Sequence, residues 1–230
     1  MVSREAKALC EKYGLGPREM YFRGRCGVLG ECDADVVHSV AVFFPYEHVK
    51  ESWEGGRKLA VDRAVEVYTQ ACHEWGRRKL GGEEGCGRIA ELLEKVVAGA
   101  SSVGAPLFAG WRAVPLPDDA PARATQLMHV VRELRGGLHA SAVIAAGIDP
   151  LEATLATTHD GTPFGYATTG EMIAKFFTWP EPYAQPSAEA VRRRAEAEER
   201  TDDLMAPVFS VLDGDESDEL IELLRFGHGR

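Results

Sequence analysis

Two arginines and a histidine recur at offsets 0, 3 and 7 in the segment Arg132-Glu133-Leu134-Arg135-Gly136-Gly137-Leu138-His139, directly before an apolar run from Ala140 to Ile148. On a continuous α-helix, at about 100° per residue, Arg132, Arg135 and His139 fall within about 60° of one another. Leu127, Val131, Leu134 and Leu138 form a separate stripe displaced by roughly 110°. One edge of such a helix packs into a core. The adjacent edge carries two permanent cations and an imidazole that titrates near neutrality. Guanidinium groups so placed can hold a carboxylate or phosphate in forked geometry, and His139 can give or take a proton. Upstream, Tyr21-Phe22-Arg23-Gly24-Arg25 sets further cations beside aromatic rings. Tyr21, Arg23, Arg25, Arg132, Arg135 and His139 are therefore the candidate ligand-binding residues, with His139 the candidate for catalysis. The two segments are expected to face each other across a pocket, with Phe22, Phe43, Phe44, Trp53 or Trp111 supporting the apolar part of a ligand. The plainer alternative puts the arginines on a solvated face and His139 in a core or at a helix end.

The elements that would position these residues read as helices. Ser3 can cap a first helix that runs to Tyr13, and Gly14-Leu15-Gly16-Pro17 ends it. Pro17 suits the first position of a short helix carrying Tyr21, Arg23 and Arg25. Asp33 caps another, with Val36, Val37 and Val40 as its apolar face. Arg57 to Arg78 reads as one long helix, since Leu59, Val61, Val65, Tyr68, Cys72 and Trp75 recur at spacings of three and four. After the glycines around Gly81 and Gly85, Arg88 to Val97 is helical. Residues 99–121 read as an irregular connection held to the core by Leu107, Phe108 and Trp111. Pro121 to Leu134 and Leu138 to Ala146 follow, with Gly136-Gly137 as a kink or a break. Asp149-Pro150-Leu151-Glu152 combines a capping oxygen, a first-turn proline and a glutamate.

Beyond Thr157 the character changes. His159-Asp160-Gly161-Thr162-Pro163-Phe164-Gly165-Tyr166 is rich in turn residues, and Trp179-Pro180-Glu181-Pro182-Tyr183-Ala184-Gln185-Pro186 holds three prolines. Only Gly170 to Phe177 lies between them as a short helix. Ser187 caps a charged helix in which Arg192 can pair with Glu196 and Arg194 with Glu198. Leu204 to Leu212 and Leu220 to Phe226 are expected to dock the tail on the body.

Composition narrows the function classes. The chain has 230 residues, 45% hydrophobic and 27% charged, and a net charge of −10. That is an ordinary globular mixture, and an acidic surface repels phosphate backbones and anionic headgroups. Duplex DNA and membranes are therefore not expected as partners, and the longest apolar runs are far too short to span a bilayer. Five cysteines without regular spacing point to a reducing, cytoplasmic setting, and no apolar stretch follows Met1-Val2-Ser3-Arg4-Glu5, so no signal peptide is expected. Cys26, Cys32, His38 and the adjacent Cys72-His73 match no compact zinc spacing, so no metal is expected. No glycine-rich phosphate loop follows a strand, so a nucleotide-binding core is not supported and the cofactor stays unassigned, and without a G-x-S-x-G a serine nucleophile lacks its elbow.

Several segments carry a resemblance. Ala105-Pro106-Leu107-Phe108-Ala109, Leu116-Pro117-Asp118-Asp119 and Val131-Arg132-Glu133-Leu134-Arg135-Gly136-Gly137-Leu138-His139-Ala140 resemble a family of actinomycete proteins described as helix-turn-helix or winged-helix proteins of unassigned function. Tyr21-Phe22-Arg23-Gly24-Arg25 with Leu29-Gly30, and Glu196-Ala197-Glu198-Glu199-Arg200-Thr201-Asp202 with Ala206-Pro207, are similar to further segments of it. The resemblance implies a winged helix over roughly residues 149–203. This chain departs from it there, because a glycine- and threonine-rich segment and a proline-rich stretch stand where a second helix and a recognition helix would be. A recognition helix needs about three turns free to enter the major groove, and Trp179 to Pro186 cannot supply them.

The expectation is a mainly α protein: a helical body over residues 1–148 with the ligand pocket, then a reduced winged-helix-like segment and C-terminal helices over 149–230 that pack back on the body. The function expected is binding of an anionic or amphipathic small molecule, as a sensor, a sequestering protein or an accessory to specialised metabolism. An enzyme using His139 with Arg132 and Arg135, and a winged-helix regulator, are the alternatives. A homodimer is compatible with all three.

Overall fold

A twenty-six-residue helix runs through the middle of the molecule, and most of the other elements are arranged around it. The computed structural model describes residues 3–81, 84–157 and 169–225, which form twelve α-helices, two single 3-10 turns and no strand. The helices are α1 (Arg4–Tyr13), α2 (Pro17–Cys26), α3 (Ala34–Val40), α4 (Tyr46–Gly55), α5 (Val61–Leu80), α6 (Cys86–Gly99), α7 (Pro106–Arg112), α8 (Ala120–Ala145), α9 (Pro150–Leu155), α10 (Gly170–Phe176), α11 (Ala188–Phe209) and α12 (Gly214–Leu224). The central helix is α8, with α5, α6, α7 and α11 packed against it.

The capping signals act as their chemistry dictates. Ser3, Asp119, Asp149 and Ser187 each accept a backbone N–H of the first turn they precede, which satisfies one of the orphan donors of a helix N-terminus. Asp33 occupies the equivalent place before α3 with an extended backbone but makes no side-chain cap, and Val36 of that helix is exposed while Val37 is buried. Thr178 closes α10 in the left-handed region, at φ 68°. That turn lets the Trp179 amide reach back to the Ala174 carbonyl at 3.0 Å, and the Trp179 indole N–H donates to the Phe43 carbonyl at 3.0 Å.

Three expectations need correction. The helix expected from Arg57 begins at Val61, because Gly56–Lys58 form a separate 3-10 turn. Its deepest row is Ala64, Val67 and Ala71, beside the half-buried Tyr68, Cys72 and Trp75. Residues 99–121 are not wholly irregular, since α7 forms there and buries Leu107, Phe108 and Trp111. Finally, Gly136-Gly137 does not break the helix, for α8 is continuous through both. Leu127, Val130 and Leu134 before the pair, and His139, Ala142 and Val143 after it, are all buried. Packing on both sides outweighs the roughly 2 kcal/mol that two glycines cost a helix interior.

The main core joins α2, α4, α6, α7 and α8 through Phe22, Trp53, Leu92, Phe108, Trp111 and Leu127, and it also takes in Met205, Leu212 and Leu220 from α11, the turn after it and α12. A second cluster seats α1 on α2 and α5. A third seals α8 against α9 and α11 through Ala142, Val143, Ala153, Ala190 and Ala197. The turn-rich expectation for His159 to Tyr166 lies outside the described residues. From Thr169 to Pro186 the chain holds one seven-residue helix and no strand.

Candidate functional site

An open cleft of about 420 Å³ lies between α2, the α3–α4 connection, α8 and the end of α10. Its cationic lining is Arg18, Arg25, Arg132 and Arg135, and its apolar lining includes Tyr21, Val40, Phe43, Phe44, Phe176 and Phe177. Helical periodicity explains the first set. Arg18, Tyr21 and Arg25 repeat the 0, 3 and 7 spacing of the α8 segment, so they share one edge of α2. Arg23, two residues from Arg25, falls about 160° away on the other side of the helix.

The structure therefore divides the sequence-predicted residues. Tyr21, Arg25, Arg132 and Arg135 line the cleft together. Arg23 does not: only 2% exposed, it donates from Nε to the Leu59 carbonyl at 3.1 Å, forks onto Glu31 and lies over the Trp53 ring at 4.6 Å. It ties α2 to the turn after α4. Phe43 and Phe44 line the cleft, while Phe22, Trp53 and Trp111 lie wholly in the core.

His139 is also turned away. Its Nδ1 sits 2.9 Å from the Thr201 hydroxyl oxygen, and that hydroxyl donates to the Ala197 carbonyl at 2.6 Å. With its only proton so engaged, Thr201 must accept, which places a proton on His139 Nδ1. The ring stacks on Phe43 at 5.6 Å, so the aromatic wall of the cleft covers it. Burial and the nearby Arg194 push the imidazole down to about 4, against the opposing pull of Glu198. It is neutral near pH 7 and links α8 to α11.

The charges in the cleft are unequally matched. Arg25 is buried and forks onto Glu133, with Nε to Oε1 at 2.9 Å and an Nη to Oε2 at 2.7 Å. Arg132 donates to the same carboxylate at 2.7 Å. Burial opposes ionisation of Glu133, but Arg25, His129 and Arg132 more than offset it and hold the carboxyl at about 2. Arg135 pairs with Glu198 at 2.8 Å, a carboxylate that also accepts from Arg194 at 2.5 Å. Arg18 has no carboxylate partner among the described residues. Its guanidinium donates to the Phe176 carbonyl and lies 4.4 Å from the Phe176 ring centroid and 5.8 Å from that of Phe44. Four guanidinium groups thus meet two carboxylates, one of which is shared with a further arginine. The protein is acidic overall, and this cleft carries net positive charge.

Sequence reasoning missed Arg18 and the roof formed by Phe176 and Phe177. The spacing of Arg18, Tyr21 and Arg25 was a usable signal for the first. No local pattern could have found the roof, because it depends on Phe177 packing on Phe44 at 4.5 Å and on the Trp179–Phe43 tie across more than a hundred residues.

Behind the cleft, His129 completes the Glu133 cluster, with Nδ1 3.7 Å from Oε1 and the imidazole edge-on to Trp111 at 4.5 Å. Burial pushes this histidine down to about 4 despite the carboxylate. Burial also pushes the Cys26 and Cys72 thiols up to about 12, so neither is a thiolate nucleophile near neutrality. Among the described residues, no helix is long and apolar enough to cross a membrane.

With this geometry in place, comparison with known proteins assigns the class. The chain belongs to a helix-turn-helix family, whose model matches residues 1–226. No curated protein and no solved structure matches it.

Proposed function

We propose that the protein binds an amphipathic anion, with a carboxylate or phosphate head, in the cleft between α2 and α8. The observation that carries this reading is the excess of guanidinium groups over carboxylates in an otherwise acidic chain, set against an aromatic and aliphatic wall. Such a cleft holds an anion by charge-assisted forked hydrogen bonds and its apolar body by burial against Phe43, Phe44 and Phe177. The volume falls within the range of small-molecule sites. Sensing or sequestration fits this arrangement better than turnover, since His139 is covered and the buried thiols are protonated.

Calorimetric titration with decanoate, decyl phosphate and decanol tests the proposal, and the tighter of the two anions identifies the head group. Arg135→Met should weaken anion binding by roughly tenfold or more, the loss of one charge-assisted hydrogen bond, and Arg18→Met should do the same. Decanol binding as tightly as both anions, or unchanged affinity in both variants, would refute it.

Membership of a helix-turn-helix family supports a second reading, a DNA-binding regulator whose cleft receives the effector. Between Thr169 and Pro186 the described chain offers a two-turn helix, short of the three turns a major-groove reader needs, so binding of the anion is the primary reading. Fluorescence anisotropy with a duplex from the gene's own upstream region decides it. A saturable complex that survives nonspecific competitor at physiological salt would establish the regulator.

A further inference from the structure

The two glycines inside α8 differ in what they answer to. A Cβ at Gly137 would come within 3.1 Å of Ala105, so that glycine serves the close approach of α8 to the start of α7. A Cβ at Gly136 would meet no described protein atom within 4 Å. No described residue requires glycine there, yet glycine costs a helix interior about 1 kcal/mol relative to alanine.

Gly136 occupies a particular place. It lines the arginine cleft and also a narrower crevice of about 150 Å³ on its other side. Arg25, Val40, Val42 and Ala140 line both spaces as well, so the two adjoin at the bare helix backbone of this residue. The compartments differ in charge. In the cleft, Arg18 has no carboxylate partner among the described residues. In the crevice, the charged side chains are Arg25 and Glu133, which neutralise one another, and the remaining wall sets Val40, Val42, Leu107 and Ile144 beside Ser39 and Ser141. Ile144 is 65% exposed where it borders the crevice.

We infer that Gly136 is the size-determining position of an elongated ligand site, where an unbranched chain passes over the α8 backbone from the arginine cleft into the Val40–Ile144 crevice. This deepens the proposed anion-binding function and rests on it. A crevice of about 150 Å³ has room for about five groups the size of a water molecule, enough to take the end of an aliphatic tail.

The test combines melting temperature with a chain-length series of straight-chain carboxylates, butyrate to dodecanoate, on wild type, Gly136→Ala and Gly136→Val. Gly136→Ala should raise the melting temperature by about 2–4 °C, since alanine favours the helix and its Cβ meets no described atom. Wild-type affinity should climb about fourfold per added methylene while the chain is being buried. In Gly136→Val that climb should stop several methylenes earlier, with the shortest carboxylates unaffected. A lower melting temperature for Gly136→Ala would show that the glycine serves the fold and overturn the inference. Parallel chain-length curves in wild type and Gly136→Val would also overturn it while leaving anion binding intact. Failure of every carboxylate and of decyl phosphate to bind wild type would instead remove the anion-binding function itself, and this inference with it.

Discussion

Replacing Glu133 by glutamine isolates the charge at the centre of the site while keeping its shape. The carboxylate is 1% exposed and takes both forks of Arg25, itself almost fully buried, together with a bond from Arg132. Glutamine would leave the Arg25 guanidinium buried without a counter-charge, and breaking a buried pair from one side costs roughly 3–5 kcal/mol. The depressed carboxyl gives a figure of the same order. A carboxyl held at about 2 instead of the ordinary 4.5 corresponds to about 3 kcal/mol at 1.36 kcal/mol per unit. Because the folded value is depressed, that stability is present above pH 4.5 and is lost as pH falls towards 2. In a chain of this size, 3 kcal/mol lowers the melting temperature by on the order of 10 °C. Urea unfolding followed by circular dichroism at neutral pH, and again at pH 3, measures both. The Glu133→Gln variant should lose about 3 kcal/mol at neutral pH and show a smaller further loss on acidification than wild type. A neutral-pH loss under about 1 kcal/mol, of the size expected for an exposed pair, would refute the view that Glu133 anchors Arg25 in the cleft wall.

Three further outcomes follow from side chains outside the cleft. Thr201→Val removes the acceptor of His139 Nδ1–H and should cost about 1–3 kcal/mol in urea unfolding without altering decanoate binding. His129 and His139, both held at about 4 when folded, should make wild type lose stability as pH falls from 6.5 towards 4, because depressed imidazoles favour the folded state only while they are neutral; a flat stability profile over that window would contradict their burial. Arg23→Met should destabilise the protein by at least about 1 kcal/mol through the lost bonds to Leu59 and Glu31, again with unchanged anion affinity, and weakened binding at unchanged stability would place Arg23 in the site after all.

Much of the fold was legible locally. The caps at Ser3, Asp149 and Ser187, Pro17 opening α2 and the short helix at Gly170 all follow from side-chain chemistry within a few residues. The mistakes came where tertiary packing decides. Gly136-Gly137 carries every local mark of an interruption, and only the buried rows on either side keep α8 whole. The helix expected at Arg57 fails because Arg23, a residue far back in the chain, binds the Leu59 carbonyl and holds the preceding turn in place. The departure from a winged helix was legible too: the proline-rich stretch was expected to exclude a wing and a recognition helix, and Thr169 to Pro186 holds one seven-residue helix and no strand.

The site was legible as a set of spacings and not as a set of directions. Offsets of 0, 3 and 7 mark an edge on both α2 and α8, and where the two edges face each other, Arg18, Tyr21, Arg25, Arg132 and Arg135 meet. His139 shares the α8 edge by angle, yet it lies two turns beyond Arg132, where Phe43 crosses the helix and closes the cleft. Periodicity fixes the azimuth of a side chain, whereas the crossing of a neighbouring segment fixes how far along the axis the opening extends. The same limit applies to charge. Counting arginines along α8 identifies a cationic edge, but only the partners supplied by other elements separate Arg25, committed to Glu133, from Arg18, which meets aromatic rings and a carbonyl. Arg18 is therefore the cleft arginine with no carboxylate partner among the described residues, and its removal should weaken binding of an anion.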